Sequence, residues 1–157
     1  MICFFLIGLF HDVGKADRAF QDKLLKHPDK QVDHSYAGAL YLWNRIQQTF
    51  KGSSLSKSER KAFKEIVCYV ISAHHGVYDI PLPENTEDIQ GFGFSKLRQR
   101  MMDKVGYHFT EDIQVYVCFL ENQLSQFGYA NIDDLIEKAF ANYQLAIAQL
   151  NRSYFSP

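Results

Sequence analysis

The apolar residues of this chain recur at three- and four-residue spacing, and twice such a run ends on a polar pair beside a glycine: His11-Asp12 before Gly14, and His74-His75 before Gly76. That spacing marks helices that bury one face, and the strict alternation of half-buried strands does not occur. The expected fold is therefore all-α, a helical bundle with its candidate site at helix ends. A chain of 157 residues with 46% hydrophobic content suits one compact core, so residues 1–157 are expected to form a single domain.

The spacing predicts a helix over about Ile2 to Asp12, a short one over Asp17 to Leu25 before the His27-Pro28 break, and a third through Phe50 capped by Asp33 or Ser35. Ser56 with Glu59 is a capping-box pattern, opening a helix expected to end at His74-His75-Gly76. Val77 to Gly93 reads as the longest loop. Later helices are expected over Phe94 to Val105, Thr110 to Phe127 and Ile132 to Leu150, with Thr110 and Asn131 as caps. The apolar opening from Met1 to Phe10 has no basic segment before it and no small-residue cleavage site, and is too short to span a bilayer. It reads as a buried helix, with no membrane association.

The 17 basic and 18 acidic residues give a net charge of −1 and no global basic field. Any nucleic-acid contact must then use a local patch or a bound metal. Lys57, Arg60, Lys61 and Lys64 form one basic face, although a charge run on a helix is more often simply solvated. Tyr78, Phe92 and Phe94 flank the long loop and are the better aromatic candidates for substrate contact. Cys3, Cys68 and Cys118 are odd in number and widely separated, which points away from a disulfide framework or a thiolate zinc site. A reducing cytosol, and so a cytoplasmic location, is the simplest expectation.

Neighbouring residues on a helix point about 100° apart and cannot usually grip one ion from mid-helix. At a terminus beside a glycine the backbone can turn and let both side chains converge. Imidazoles with a carboxylate suit borderline divalent metals, and one carboxylate can bridge two ions. A single histidine on an apolar face is more often a core residue; the joint pattern carries the metal reading. The candidate ligands are His11, Asp12, His34, His74 and His75, with Asp12 the candidate bridge. Asp12 and Lys15 are the candidate catalytic residues: Lys15 either steadies a phosphate as a point charge or pairs with Asp17 at a helix end. His27 and His108 are expected to be solvated. One or two divalent ions are expected, drawn from manganese, nickel, cobalt, iron, zinc or magnesium.

The runs HDVGKADRAFQDKL from His11 to Leu24, DHSYAGA from Asp33 to Ala39 and SAHHG from Ser72 to Gly76 resemble the HD nuclease domain of the CRISPR-associated helicase-nuclease of type I systems, in the HD phosphohydrolase superfamily. Residues 6–76 carry the match. HDxGK occurs in several HD branches, whereas Phe20-Gln21 and DHSxAGA are more selective. The resemblance implies an HD-domain bundle that binds one or two divalent metals and cuts single-stranded DNA, with a helicase subunit or domain and a CRISPR surveillance complex as partners in antiviral defence. It assigns His11 and Asp12 to the HD pair, His34 to the middle histidine, His74 and His75 to the histidine doublet, and Lys15 to the lysine of HDxGK.

Two family features are not evident: a histidine on a helix before the HD pair, and a late aspartate in an LxxADW-like context. Met1 to Phe10 contains no histidine, Glu121 is the acid nearest the late position, and Asp133-Asp134 lie one loop further on. In the family the two missing groups serve one ion, while Asp12, His34, His74 and His75 serve the other. The resemblance therefore implies that the family's first helix is lacking, that one metal site is nearly whole, and that activity is weak unless a partner segment restores the ligands. Two alternatives stand beside the nuclease: an HD phosphohydrolase of nucleotides or cyclic dinucleotides, and a degenerate metal-binding module. The run HHGVYDIP lacks the acid and GYP-like turn of the cyclic-dinucleotide branch, which disfavours that branch.

Overall fold

The first helix, α1 (Ile2–Phe10), carries no charge and buries Leu6 and Phe10, one turn apart on the same face. In this computed structural model, residues 2–26, 34–74 and 110–155 are described, with side chains as far as position 150. A 3-10 turn (Val13–Ala16) leads into α2 (Arg18–Lys26), followed by α3 (Ser35–Thr49) and α4 (Lys57–Ser72). The remaining helices are α5 (Glu111–Gln123), continued by a second 3-10 turn (Leu124–Phe127), and α6 (Ile132–Phe155). The described residues contain no strand, and the all-α expectation holds.

Helices α3 and α4 form a hairpin joined by a short turn at Gly52, whose φ of 77° suits a residue without a Cβ. Helix α1 packs chiefly on α6 and also touches both arms of that hairpin. Leu6, Phe10, Tyr36, Leu42, Ile46, Phe63, Ile71, Ile113 and Leu135 meet in one buried cluster. No helix among the described residues is long and apolar enough to cross a membrane.

Helix boundaries depart from the expected ones for identifiable reasons. Helix α1 ends at Phe10 rather than Asp12, because His11 and Asp12 occupy the turn that feeds the 3-10 segment. His34, not Asp33 or Ser35, stands at the N-cap of α3, and its side chain makes no capping hydrogen bond; Asp33 lies outside the described residues. Helix α4 begins as expected, with Ser56 Oγ accepting from Glu59 N at 3.4 Å, but stops at Ser72. Thr110 Oγ1 accepts from Ile113 N and Asn131 Oδ1 from Asp134 N, as capping residues do. The last helix runs to Phe155, past the expected Leu150. The expected loop from Val77 to Gly93 and helix from Phe94 to Val105 lie outside the described residues.

Two glycines set how closely the elements approach. A Cβ on Gly38 of α3 would sit 1.8 Å from the Phe10 carbonyl oxygen, and one on Gly14 would sit 2.0 Å from the His34 carbonyl oxygen. Gly14 was expected to let the chain turn, but its φ is not positive; it is needed because backbone passes against backbone. Gly38→Ala is expected to destabilise the protein by about 3 kcal/mol, since a carbonyl fixed in a helix cannot move aside. Gly8→Ala is the internal control: Gly8 lies within α1 with nothing within 4 Å of its Cβ position, so about 0.5–1 kcal/mol of stabilisation is expected. Urea unfolding of both variants checks the contrast; equal effects would contradict the close-packing account.

Candidate metal centre

The turn after α1 projects Asp12 toward the start of α3 and the end of α4. His34 Nε2 lies 3.7 Å and His74 Nε2 3.4 Å from Asp12 Oδ1. One donor atom from each of Asp12, His34 and His74 lies within 4.8 Å of the others. Their side chains are only partly exposed, at 36%, 14% and 18%. Asp12 Oδ1 is buried and has no hydrogen-bond partner among the described residues, an arrangement that costs free energy unless something satisfies it.

The histidine rings are oriented from behind. His74 Nδ1 lies 2.6 Å from the Ile71 carbonyl and His11 Nδ1 2.7 Å from the Gly8 carbonyl. A carbonyl only accepts, so each Nδ1 carries a proton, and Nε2 is the nitrogen turned toward Asp12. The His34 ring packs against Phe20 at a centroid distance of 4.6 Å. Gln21 Nε2 donates to the Lys15 carbonyl at 2.6 Å, fastening α2 to the 3-10 turn. The Phe20-Gln21 pair was picked out only as part of a resemblance; its packing role needed the structure to appear.

The second oxygen of Asp12 has different company. Lys15 Nζ donates to Oδ2 at 2.8 Å, and His11 Nε2 lies 3.2 Å from the same atom. Lys15 therefore pairs with Asp12 and not with Asp17. Asp17 instead accepts from Thr110 Oγ1 at 2.8 Å and from Ala19 N at 2.6 Å, tying the turn to α5. Partial burial pushes the Asp12 carboxyl up, but the Lys15 hydrogen bond and the charges of His11, Lys15 and His74 outweigh it, leaving the group below the usual carboxylate range. The ionised form thus favours the fold above that range, and the contribution is lost as pH falls through the depressed value.

Of the five candidate ligands, the structure brings Asp12, His34 and His74 into one cluster and places His11 beside it on the other carboxylate oxygen. His75 lies outside the described residues. The later acids go elsewhere: Glu121 accepts from the Tyr41 hydroxyl, Asp133 from Arg45 and Thr49, and Asp134 from Lys138 and Ala130 N.

The donor set fits a divalent ion. Donors about 2.1 Å from one ion stand roughly 3.0–3.4 Å apart at octahedral or tetrahedral angles, close to the 3.4 and 3.7 Å seen around Oδ1. Two imidazoles and a carboxylate suit manganese, iron, cobalt, nickel or zinc better than a purely oxygen-seeking magnesium.

An all-helical domain that gathers histidines and an aspartate at helix ends, led by a His-Asp pair, defines the HD class of metal-dependent hydrolases. The sequence profile of the family described as "Cas3, HD domain" matches residues 1–128, and the chain belongs to that family. HD domains of this kind bind divalent metals and have the character of CRISPR-associated nucleases or phosphohydrolases. No curated protein and no solved structure matches the chain.

Residues that orient a ligand from behind are typically worth about 10–100-fold in metal affinity. Phe20→Ala is therefore expected to weaken metal binding by about tenfold while the protein stays folded, as read by calorimetric titration alongside circular dichroism. Wild-type affinity in that variant would remove Phe20 from the account.

Proposed function

We infer that this chain is a metal-dependent nuclease acting on single-stranded DNA in CRISPR interference, working with a helicase subunit or domain and a surveillance complex. The observation that carries this reading is the convergence of His34 Nε2 and His74 Nε2 on the buried Asp12 Oδ1, in a chain of the Cas3 HD family. Asp12, His34 and His74 would hold the ion, with His75 beside His74 in sequence as a further candidate and His11 on the outer oxygen.

A divalent ion held there supplies positive charge for phosphoryl oxygens and an activated water at neutral pH. The chain's own groups do the rest. Holding Nδ1 on a backbone carbonyl keeps Nε2 of His11 and His74 turned toward Asp12, where a neutral ring would offer its lone pair to the ion. Lys15 spends one ammonium proton on Asp12 Oδ2 and has two more to offer a phosphate oxygen. It therefore both orients the carboxylate and brings a cation to the substrate side, and this dual role makes Asp12 and Lys15 the proposed catalytic pair.

Incubating the metal-loaded protein with circular single-stranded DNA and, separately, with nucleotides and cyclic dinucleotides tests the reading. Cleavage of the circle, lost on chelation and in Asp12→Ala, is expected. Lys15→Met is expected to lower the cleavage rate by about 10²-fold while metal content stays within twofold of wild type. Turnover of nucleotides alone would move the chain to the nucleotide-hydrolysing branch, and bound metal with neither activity would make it a degenerate module.

A further inference from the structure

Away from the metal centre, α3 and α4 enclose an open groove of about 360 Å³ next to the turn that joins them. Its floor is apolar, formed by Trp43, Ile46 and Phe50, and its rim carries Lys57, Arg60, Lys61 and Lys64 against a single acid, Glu65. In a chain of net charge −1 this is a concentrated local excess of cations.

Three observations separate the groove from a merely solvated charged face. The four cations follow one face of α4 at helical spacing, so Lys57 and Lys61, and Arg60 and Lys64, stand as like-charged i,i+4 pairs that repel. Glu65, the one acid of the lining, stands one turn after Lys61, so a single carboxylate faces four cations. Two of the rim cations are also held in place. Arg60 Nη1 donates to the Phe50 carbonyl at 2.7 Å, and Lys64 Nζ lies 3.8 Å from the centroid of the Trp43 ring. Lys57 and Lys61 are exposed and enter no ion pair among the described residues.

We propose that this groove is a phosphate-tracking subsite for single-stranded nucleic acid. A polyanion relieves the repulsion along α4, and successive phosphates match cations repeated along one helix face better than a single anion does. The choice of a nucleic-acid strand rests on the nuclease reading, whereas the preference for a polyanion rests on the groove's own charges. Trp43 lies nine residues after His34, roughly 13 Å along α3 at about 1.5 Å per residue, so binding here does not require the metal. A phosphate that pairs with Lys64 competes with the indole for the ammonium, which makes the ring a reporter of occupancy.

Trp43 is the chain's one tryptophan, so its emission reads the groove directly. The full chain is titrated in chelator with an oligothymidylate of about twelve nucleotides, within the usual site sizes for single strands. A saturable change in emission is expected, with a log affinity against log salt slope of about −3 for four phosphate contacts. The double variant Lys57→Glu/Lys61→Glu is expected to bind at least tenfold more weakly while its metal content is unchanged. Binding in chelator without cleavage on metal addition would count against the nuclease reading and leave the subsite standing. An unchanged emission, an affinity undiminished in the double variant, or a response to polyglutamate alone would overturn the subsite; the last would make the groove a docking surface for an acidic protein segment.

Discussion

Everything at the metal centre depends on backbone lying against backbone at Gly38 and Gly14. The Phe10 carbonyl, the last of α1, rests where a Cβ on Gly38 would be, and the His34 carbonyl rests where one on Gly14 would be. These two contacts hold the His-Asp turn onto the first turn of α3. Without them Asp12 would stand away from His34, and no choice of side chain could restore the spacing. Tyr36, Ala37 and Ala39, which flank Gly38, are fully buried, so the segment from Ser35 to Ala39 acts as a packing surface that delivers His34.

The electrostatics follow from that placement. Asp12 divides its two oxygens between two environments: Oδ1 is buried and faces His34 and His74, while Oδ2 meets Lys15 and His11 at the exposed edge. A carboxylate with one oxygen neutralised by an ammonium remains ionised, and its buried oxygen keeps its affinity for a cation. Were Asp12 to bridge two ions, the division would make the bridge unsymmetrical, since an ion at Oδ2 would have to displace or share that oxygen with Lys15.

Much of this was legible in the sequence because helix ends announce themselves. The His-Asp pair and His74 stood out in polar pairs beside glycines and His34 as a histidine at a helix start between them, and Ser56, Thr110 and Asn131 were recognised as caps because their hydroxyl or amide groups suit free helix amides. What could not be read were consequences of tertiary contact. Spacing made Gly14 a turn residue, whereas the close passage of α3 makes it a packing residue. Lys15 has an acid on each side in sequence, Asp12 and Asp17, and only the Thr110 hydroxyl, which engages Asp17 from α5, decides between them. Phe20 and Gln21 support the site through a ring contact and a backbone carbonyl, and no residue-type rule marks such roles.

The account stands on the claim that Asp12, His34 and His74 hold one ion together. Crystals grown with manganese or zinc and measured at the metal's absorption edge test it most directly. An anomalous peak about 2.0–2.3 Å from Asp12 Oδ1, His34 Nε2 and His74 Nε2 is the expected result. A peak at other residues, or protein crystals saturated with metal and showing no peak at Asp12, would contradict it.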